Sequence, residues 1–235
     1  MNVDARLARL VARYGLDEVA SARLAALLEL LATDPHAPSS VTAPAAAVDV
    51  HVADALSALE KTPLRGSRRI ADIGSGAGFP GLVLAIALPE AEISLVESAR
   101  RKCDYLDRAR AVIDAANATV VCARAEAWPA GLGRHDAVTA RGLGPLALLC
   151  EYAAPLLAVG GILVAWKGAV STDEASAGTR AALELGLEPA GVVRSEPYPG
   201  SAEHRLHMYA KTADTPSRFP RRPGTARKRP LGSRR

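Results

Sequence analysis

The chain has 235 residues, 49% hydrophobic and 23% charged, which fits one globular domain with an appendage, or at most two small domains, and excludes a chain disordered throughout. No apolar run reaches the ~20 residues of a membrane span, and the N-terminus lacks the basic start and apolar stretch of a signal peptide. The net charge of +4 hides an asymmetry, because eight basic residues and no acid lie between Arg218 and Arg235, leaving 21 basic against 25 acidic residues in the body.

The apolar spacing predicts helix from residue 3 to about 32, interrupted at Gly15. A loop follows over 33–44, with Pro35, Pro38 and Pro44, and then a short helix over 46–59. From Arg68 the pattern alternates. Strands are expected at 68–75, 93–96, 119–122, 136–140 and 162–166, with helices at 80–88, 99–116, 145–157 and 172–185. Two late strands, near 192–193 and 206–211, have no helix between them and are expected to pair antiparallel. This is an α/β chain: a mostly parallel seven-stranded sheet covered on both faces, preceded by N-terminal helices. The expected division is a helical segment over 1–62, a catalytic domain over 63–212 and a basic, flexible tail over 213–235. Cys103, Cys122 and Cys150 form neither a zinc pattern nor a disulfide framework and read as small buried hydrophobes of a reducing compartment.

The informative segment is the turn after the first strand, Asp72-Ile73-Gly74-Ser75-Gly76-Ala77-Gly78-Phe79-Pro80-Gly81. Glycines there permit a tight turn and a close backbone approach to a ligand. No Gly-Lys-Ser/Thr triplet is present, and Phe79 stands where the dinucleotide fingerprint requires glycine. The spacing D-x-G-x-G-x-G resembles the first motif of the Rossmann-like, class I S-adenosylmethionine-dependent methyltransferases. A cofactor without phosphates needs no positive charge in the loop, and its ammonium favours a carboxylate such as Asp72. Glu97, at the end of the second strand, lies at the distance expected of an acid that binds a ribose diol.

No Asn/Asp-Pro-Pro-Tyr/Phe motif and no Pro-Cys dipeptide occurs, which disfavours methylation of an exocyclic amine or of a pyrimidine carbon 5. A substrate that is already nucleophilic remains, and guanine N7 is one. The glycine loop, Glu97 with Lys102, Arg124-Ala125-Glu126, Ala140-Arg141-Gly142, Trp166-Lys167-Gly168 and the tail from Phe219 to Leu231 resemble the RsmG (GidB) family. These are bacterial 16S ribosomal RNA guanine-N7 methyltransferases. The resemblance covers about residues 46–231 and includes His51 and Asp54 of the N-terminal part.

The resemblance implies a cofactor site of Asp72, Gly74, Ser75, Gly76, Gly78, Phe79, Glu97, Ala125, Glu126 and Arg141. Arg141 would also orient the guanine or the RNA, and Lys167 would act on the same rim. RNA contacts are expected from Arg124 and Arg205, and from Arg221, Arg222, Lys228 and Arg229 in the tail. The implied protein is a cytoplasmic monomer that uses S-adenosylmethionine and no metal, and its partner is 16S rRNA in the small ribosomal subunit. The tail is expected to add salt-sensitive RNA affinity without touching the cofactor. His51 is expected either at the site or as a partner of Asp54 on one helix face. The chain departs from the family at Ala37–Thr42, at Asp49-Val50 and at the His204-Arg205 pair. Rival readings are a methyltransferase of the same fold with another substrate, a non-catalytic ribosome-assembly factor and a nicotinamide oxidoreductase.

Overall fold

The computed structural model describes residues 2–201 and 203–232; Arg234 and Arg235 of the basic tail lie outside the described residues. Helix α1 (Val3–Tyr14) starts where the Asn2 side chain accepts the Ala5 amide, and it ends at Gly15 in the left-handed region. Helix α2 (Ala20–Thr33) follows. The helix expected over 46–59 is three pieces. A single turn, α3 (Pro44–Ala47), runs into a wider π-helical turn over Val48–Ala53 and then into α4 (Asp54–Lys61). That widened turn carries His51 and leads directly to Asp54.

The alternating part contains seven strands: β1 (Arg69–Ile73), β2 (Glu92–Glu97), β3 (Ala118–Cys122), β4 (His135–Arg141), β5 (Leu157–Lys167), β6 (Leu187–Arg194) and β7 (Arg205–Lys211). Its helices are α5 (Gly81–Ala87), α6 (Arg100–Val112), α7 (Leu146–Ala153), α8 (Thr172–Glu184) and the short α9 (Thr225–Lys228). The strands are ordered β3-β2-β1-β4-β5-β7-β6, and β7 runs antiparallel to both its neighbours. Strand β5 starts earlier than its sequence predicts, because Gly160-Gly161 lies inside it and the pairing with β4 shifts register there. A side chain at Gly161 would meet three backbone oxygens within about 3.0 Å, so only glycine fits this irregularity.

Both faces of the sheet are covered. One cluster joins Leu7, Leu24 and Leu56 of the N-terminal helices to Leu84 and Leu106 of α5 and α6. The other joins Leu149 of α7, Ala182 of α8 and Tyr209 of β7 to Phe219 and Ala226 of the tail. The tail expected to be a flexible arm is therefore packed, over its described residues, against the face carrying α7 and α8. Cys103 and Cys150 are buried as expected, whereas Cys122 is exposed at the end of β3. Among the described residues no helix is long and apolar enough to cross a membrane.

Candidate functional site

The parallel strands end on one edge, where sheets of this kind bind ligands at the reversal of strand order, here between β1 and β4. Gly74, Gly76 and Gly78 all have positive φ (70°, 56° and 89°), which lets the chain turn sharply after β1. The Gly74 amide donates to the Val96 carbonyl at 2.8 Å, tying the loop to β2. A side chain at Gly78 would come within 2.3 Å of Leu82, so that glycine serves packing under the loop.

A cavity of about 330 Å³ opens on this edge. Gly74, Glu97, the Ala125-Glu126 pair and Gly142 line it, as do Tyr152 of α7 and Arg227 of the tail. Glu97 is buried. One of its oxygens accepts the amides of Ser98 and Ala99 at 2.7 and 2.9 Å, and the other accepts the Gly76 amide at 3.2 Å. The second oxygen keeps lone-pair capacity for a hydroxyl, which suits a ribose diol.

Asp72 departs from its expected role beside an ammonium. Its carboxylate is turned away from the cavity, is only 1% exposed, and accepts from Thr139 Oγ1 at 2.8 Å and from the Gly81 amide at 3.2 Å. It thus caps the start of α5, and burial raises its pKa to about 6 against the opposing pull of these hydrogen bonds. Ser75 is likewise buried and donates to the Asp72 carbonyl at 2.7 Å. Phe79 lines neither this cavity nor its neighbour; its buried ring stacks on His51 with centroids 4.4 Å apart.

A second cavity, of about 360 Å³, lies on the other side of Gly142, which lines both. Its wall is a polar network built from distant parts of the chain. Arg141, at the end of β4, donates through Nη1 to Asp54 Oδ2 at 2.9 Å and to the Val50 carbonyl at 2.8 Å. Its Nη2 donates to His51 Nδ1 at 2.9 Å. Because a guanidinium can only donate, His51 is neutral with its proton on Nε2, which donates to the Val41 carbonyl at 3.1 Å. Burial, reinforced by the Arg141 charge, holds the His51 pKa down at about 4. The other Asp54 oxygen faces His204 Nδ1 at 3.0 Å, and Trp166 Nε1 donates to the Asp54 carbonyl at 3.0 Å. His51 and Asp54 are therefore joined through Arg141 rather than to each other.

Lys167 lines the second cavity with its ammonium engaged by Glu174 at 2.8 Å and the Gly144 carbonyl at 3.0 Å. Arg205 stands beside it on β7, paired with Glu203. Arg124 borders the first cavity, half exposed, 3.8 Å from Glu126. Arg222, Lys228 and Arg229 are exposed in the tail. Arg221 differs from its expected role at an RNA surface, because its guanidinium is committed to both oxygens of the buried Glu151. The cavity roles of His204 and Arg227 emerge only from the folded chain; Asp54, expected as a partner of His51, also lines the second cavity, and Glu151 lies outside both cavities as the partner of Arg221. A signal for Glu151 exists in the sequence: it is the only charge in the apolar helix Leu146–Ala153. Among the described residues no group of His, Cys, Asp and Glu could hold a metal ion.

The family model described as rRNA small subunit methyltransferase G matches residues 23–197. Proteins named ribosomal RNA small subunit methyltransferase G are similar along most of their length. That of Rubrobacter xylanophilus is 42% identical over 77% of this chain and 72% of its own. That of Desulfitobacterium hafniense is 37% identical over 82% of this chain and 81% of its own. Among solved structures, the fold resembles a SAM-dependent methyltransferase from Aquifex aeolicus, with TM-score 0.56 and 14% identity over 70% of this chain and 92% of that one. It also resembles Aeropyrum pernix fibrillarin in complex with natively bound S-adenosyl-L-methionine, with TM-score 0.52 and 20% identity over 67% of this chain and 73% of that one.

Proposed function

The chain belongs to the rRNA small subunit methyltransferase G family, and from that premise we propose that it methylates N7 of a guanine in 16S rRNA. It is an S-adenosylmethionine-dependent rRNA methyltransferase. The finer reading rests on one observation: the two cavities meet at Gly142, so a cofactor in one and a base in the other would share a boundary.

The residues of the first cavity fit the cofactor. Gly74 has a φ of 70°, a left-handed backbone that favours glycine, and a Cβ there would come within 2.7 Å of the Leu143 side chain that lines the cavity. Glu97 offers its free lone pairs to a diol, and Val96, Ala125 and Leu143 give apolar walls for a purine. When bound, S-adenosylmethionine supplies an electrophilic methyl group on a sulfonium.

The second cavity would take the guanine. The N7 lone pair is free, so the nucleophile loses no proton and holding it in line is the main demand. The wall answers that demand. Arg141 is fixed by three partners, and Asp54 by Arg141 and His204, so the polar atoms facing the base are immobilised. The lone pair of His51 is spent on Arg141, which leaves His204 Nε2, 3.5 Å from the Tyr198 hydroxyl, as the imidazole nitrogen open to a substrate. Arg205 and Arg124 flank the two cavities and suit an RNA backbone. A ribosomal substrate fits an activity in the cytoplasm.

The test is transfer of labelled methyl from S-adenosylmethionine to small ribosomal subunits that lack the modification, followed by nucleoside analysis. Label in 7-methylguanosine, lost with Arg141→Ala, is expected. Label in any other nucleoside would overturn the N7 assignment.

A further inference from the structure

The basic residues of the tail suggest an RNA-binding arm, yet the folded tail is anchored where it can do something else. It crosses the outer face of the domain through a series of specific contacts. Arg218 pairs with Glu184 of α8 at 3.1 Å, and Phe219 is buried in the cluster that contains α7. Arg221 holds Glu151 and also donates to the Arg229 carbonyl at 2.9 Å, which closes the intervening residues into a loop. Within that loop the Gly224 amide donates to Glu126 Oε1 at 3.0 Å. Ala226 is buried, and beyond it Arg180 donates to the Gly232 carbonyl at 2.9 Å.

Two of these features reach the first cavity. Glu126 belongs to the Ala125-Glu126 pair on its wall, and its side chain is almost fully buried under the Gly224 amide. Arg227 itself lines the cavity. It lies beside the Tyr152 hydroxyl, whose pKa burial raises while the Arg227 charge opposes that rise. The tail is thus part of the cavity wall, beside Glu126 and Tyr152.

We propose that Arg227 is a cofactor-binding residue and that the segment from Phe219 to Arg229 is a clamp which closes the purine end of the S-adenosylmethionine site. A guanidinium is planar and weakly hydrated, so it packs against an aromatic face more readily than an ammonium does. With Tyr152 it would cover the adenine and exclude water from it. Docking of the tail and binding of the nucleoside then reinforce each other by the same factor, as linkage requires. This separates the tail from a purely RNA-directed role: removing it would cost cofactor affinity before any RNA is present. The inference rests on the assignment of the first cavity to S-adenosylmethionine and is independent of the N7 reading.

The experiment is calorimetric titration of the full chain with S-adenosylhomocysteine and with 5′-methylthioadenosine, which lacks the amino-acid end. The same titrations are made with Arg227→Ala and with Arg227→Lys. We expect Arg227→Ala to weaken both ligands about 5- to 10-fold, and Arg227→Lys to recover only part of that loss. Because Arg227 is exposed, the melting temperature of the free protein should stay unchanged, which separates lost contact from lost folding. Hydrogen exchange of the full chain should slow at residues 224–229 when S-adenosylhomocysteine is added. Equal affinity of Arg227→Ala and the parent for both ligands, with exchange in the tail unaltered, would overturn the proposal. A loss confined to S-adenosylhomocysteine would overturn the placement at the purine end. Failure of the parent chain to bind either ligand would instead overturn the cofactor assignment itself.

Discussion

Arg221 reaches from the C-terminal segment to Glu151 of α7, engaging both carboxylate oxygens of a side chain that is only 3% exposed. A carboxylate placed so deep in an apolar helix is tolerated because the guanidinium fork meets it with two parallel donors. The pair is strong as a unit and costly to break from one side.

Replacement of Arg221 by Ala leaves Glu151 buried and unpaired, which should destabilise the protein by about 3–5 kcal/mol. Urea unfolding gives the magnitude, and limited proteolysis of the native protein should cut first within the released tail. The apolar double variant Arg221→Leu/Glu151→Leu should regain most of the stability, since no charge is then left in the interior. A single Arg221→Ala protein as stable as the parent would mean that Glu151 finds water or another cation.

The chemistry assigned to the second cavity predicts a small effect where a proton acceptor would produce a large one. His204→Gln should lower kcat less than about tenfold, because N7 carries its lone pair already. Were the nucleophile an amine or hydroxyl needing deprotonation, loss of the imidazole held by Asp54 would cost about 10²–10⁴. Single-turnover transfer rates on small-subunit substrate distinguish the two.

The network around Arg141 has a signature in pH. His51 is held neutral with a pKa of about 4, against 6.5 for a free side chain. Between these values the unfolded chain takes up a proton that the folded chain refuses. The contribution to stability is present above pH 6.5 and is lost as pH falls through about 4, on the order of 3 kcal/mol in all. Asp72, raised from 3.8 to about 6, works in the opposite sense: its contribution is present below 3.8 and is lost as pH rises through 6. The two windows overlap and offset each other in the parent. In Asp72→Asn the His51 slope should emerge as a melting temperature that rises from pH 4 to 6.5. Carbon-bound proton resonances of His51 should stay at their neutral positions down to about pH 4; titration near 6.5 would show that Arg141 does not occupy Nδ1.

The order of elements and the glycine loop were legible because their signals are local. Strand–helix alternation and the run Gly74–Gly78 follow from residues close in the chain, and so does the position of Glu97. The Arg141 network was not legible, because it joins Val50, Asp54, Arg141 and His204 through contacts that span up to 150 positions. Charge alone also misplaced the tail. Eight cations in a short segment read as an arm for nucleic acid, and only the folded chain reveals that Arg221 is neutralised by a buried acid. The aliphatic periodicity around Ala46–Leu59 marks a helix but not its widened turn, which carries His51 into its stack with Phe79 from a distant part of the chain.

Because β7 runs against its neighbours, its first residue, not its last, arrives at the rim where the parallel strands end. Arg205 consequently sits in register with Lys167, the final residue of β5, and His204 meets the helix carrying Asp54. The two ends of the connection from β6 to β7, Ser195 and His204, thus line the second cavity, although in sequence they lie more than a hundred residues past the glycine loop. Lengthening or trimming that connection would alter the second cavity while leaving the lining of the nucleoside cavity unchanged. It is the part of this architecture through which a different RNA contour could most readily be accommodated.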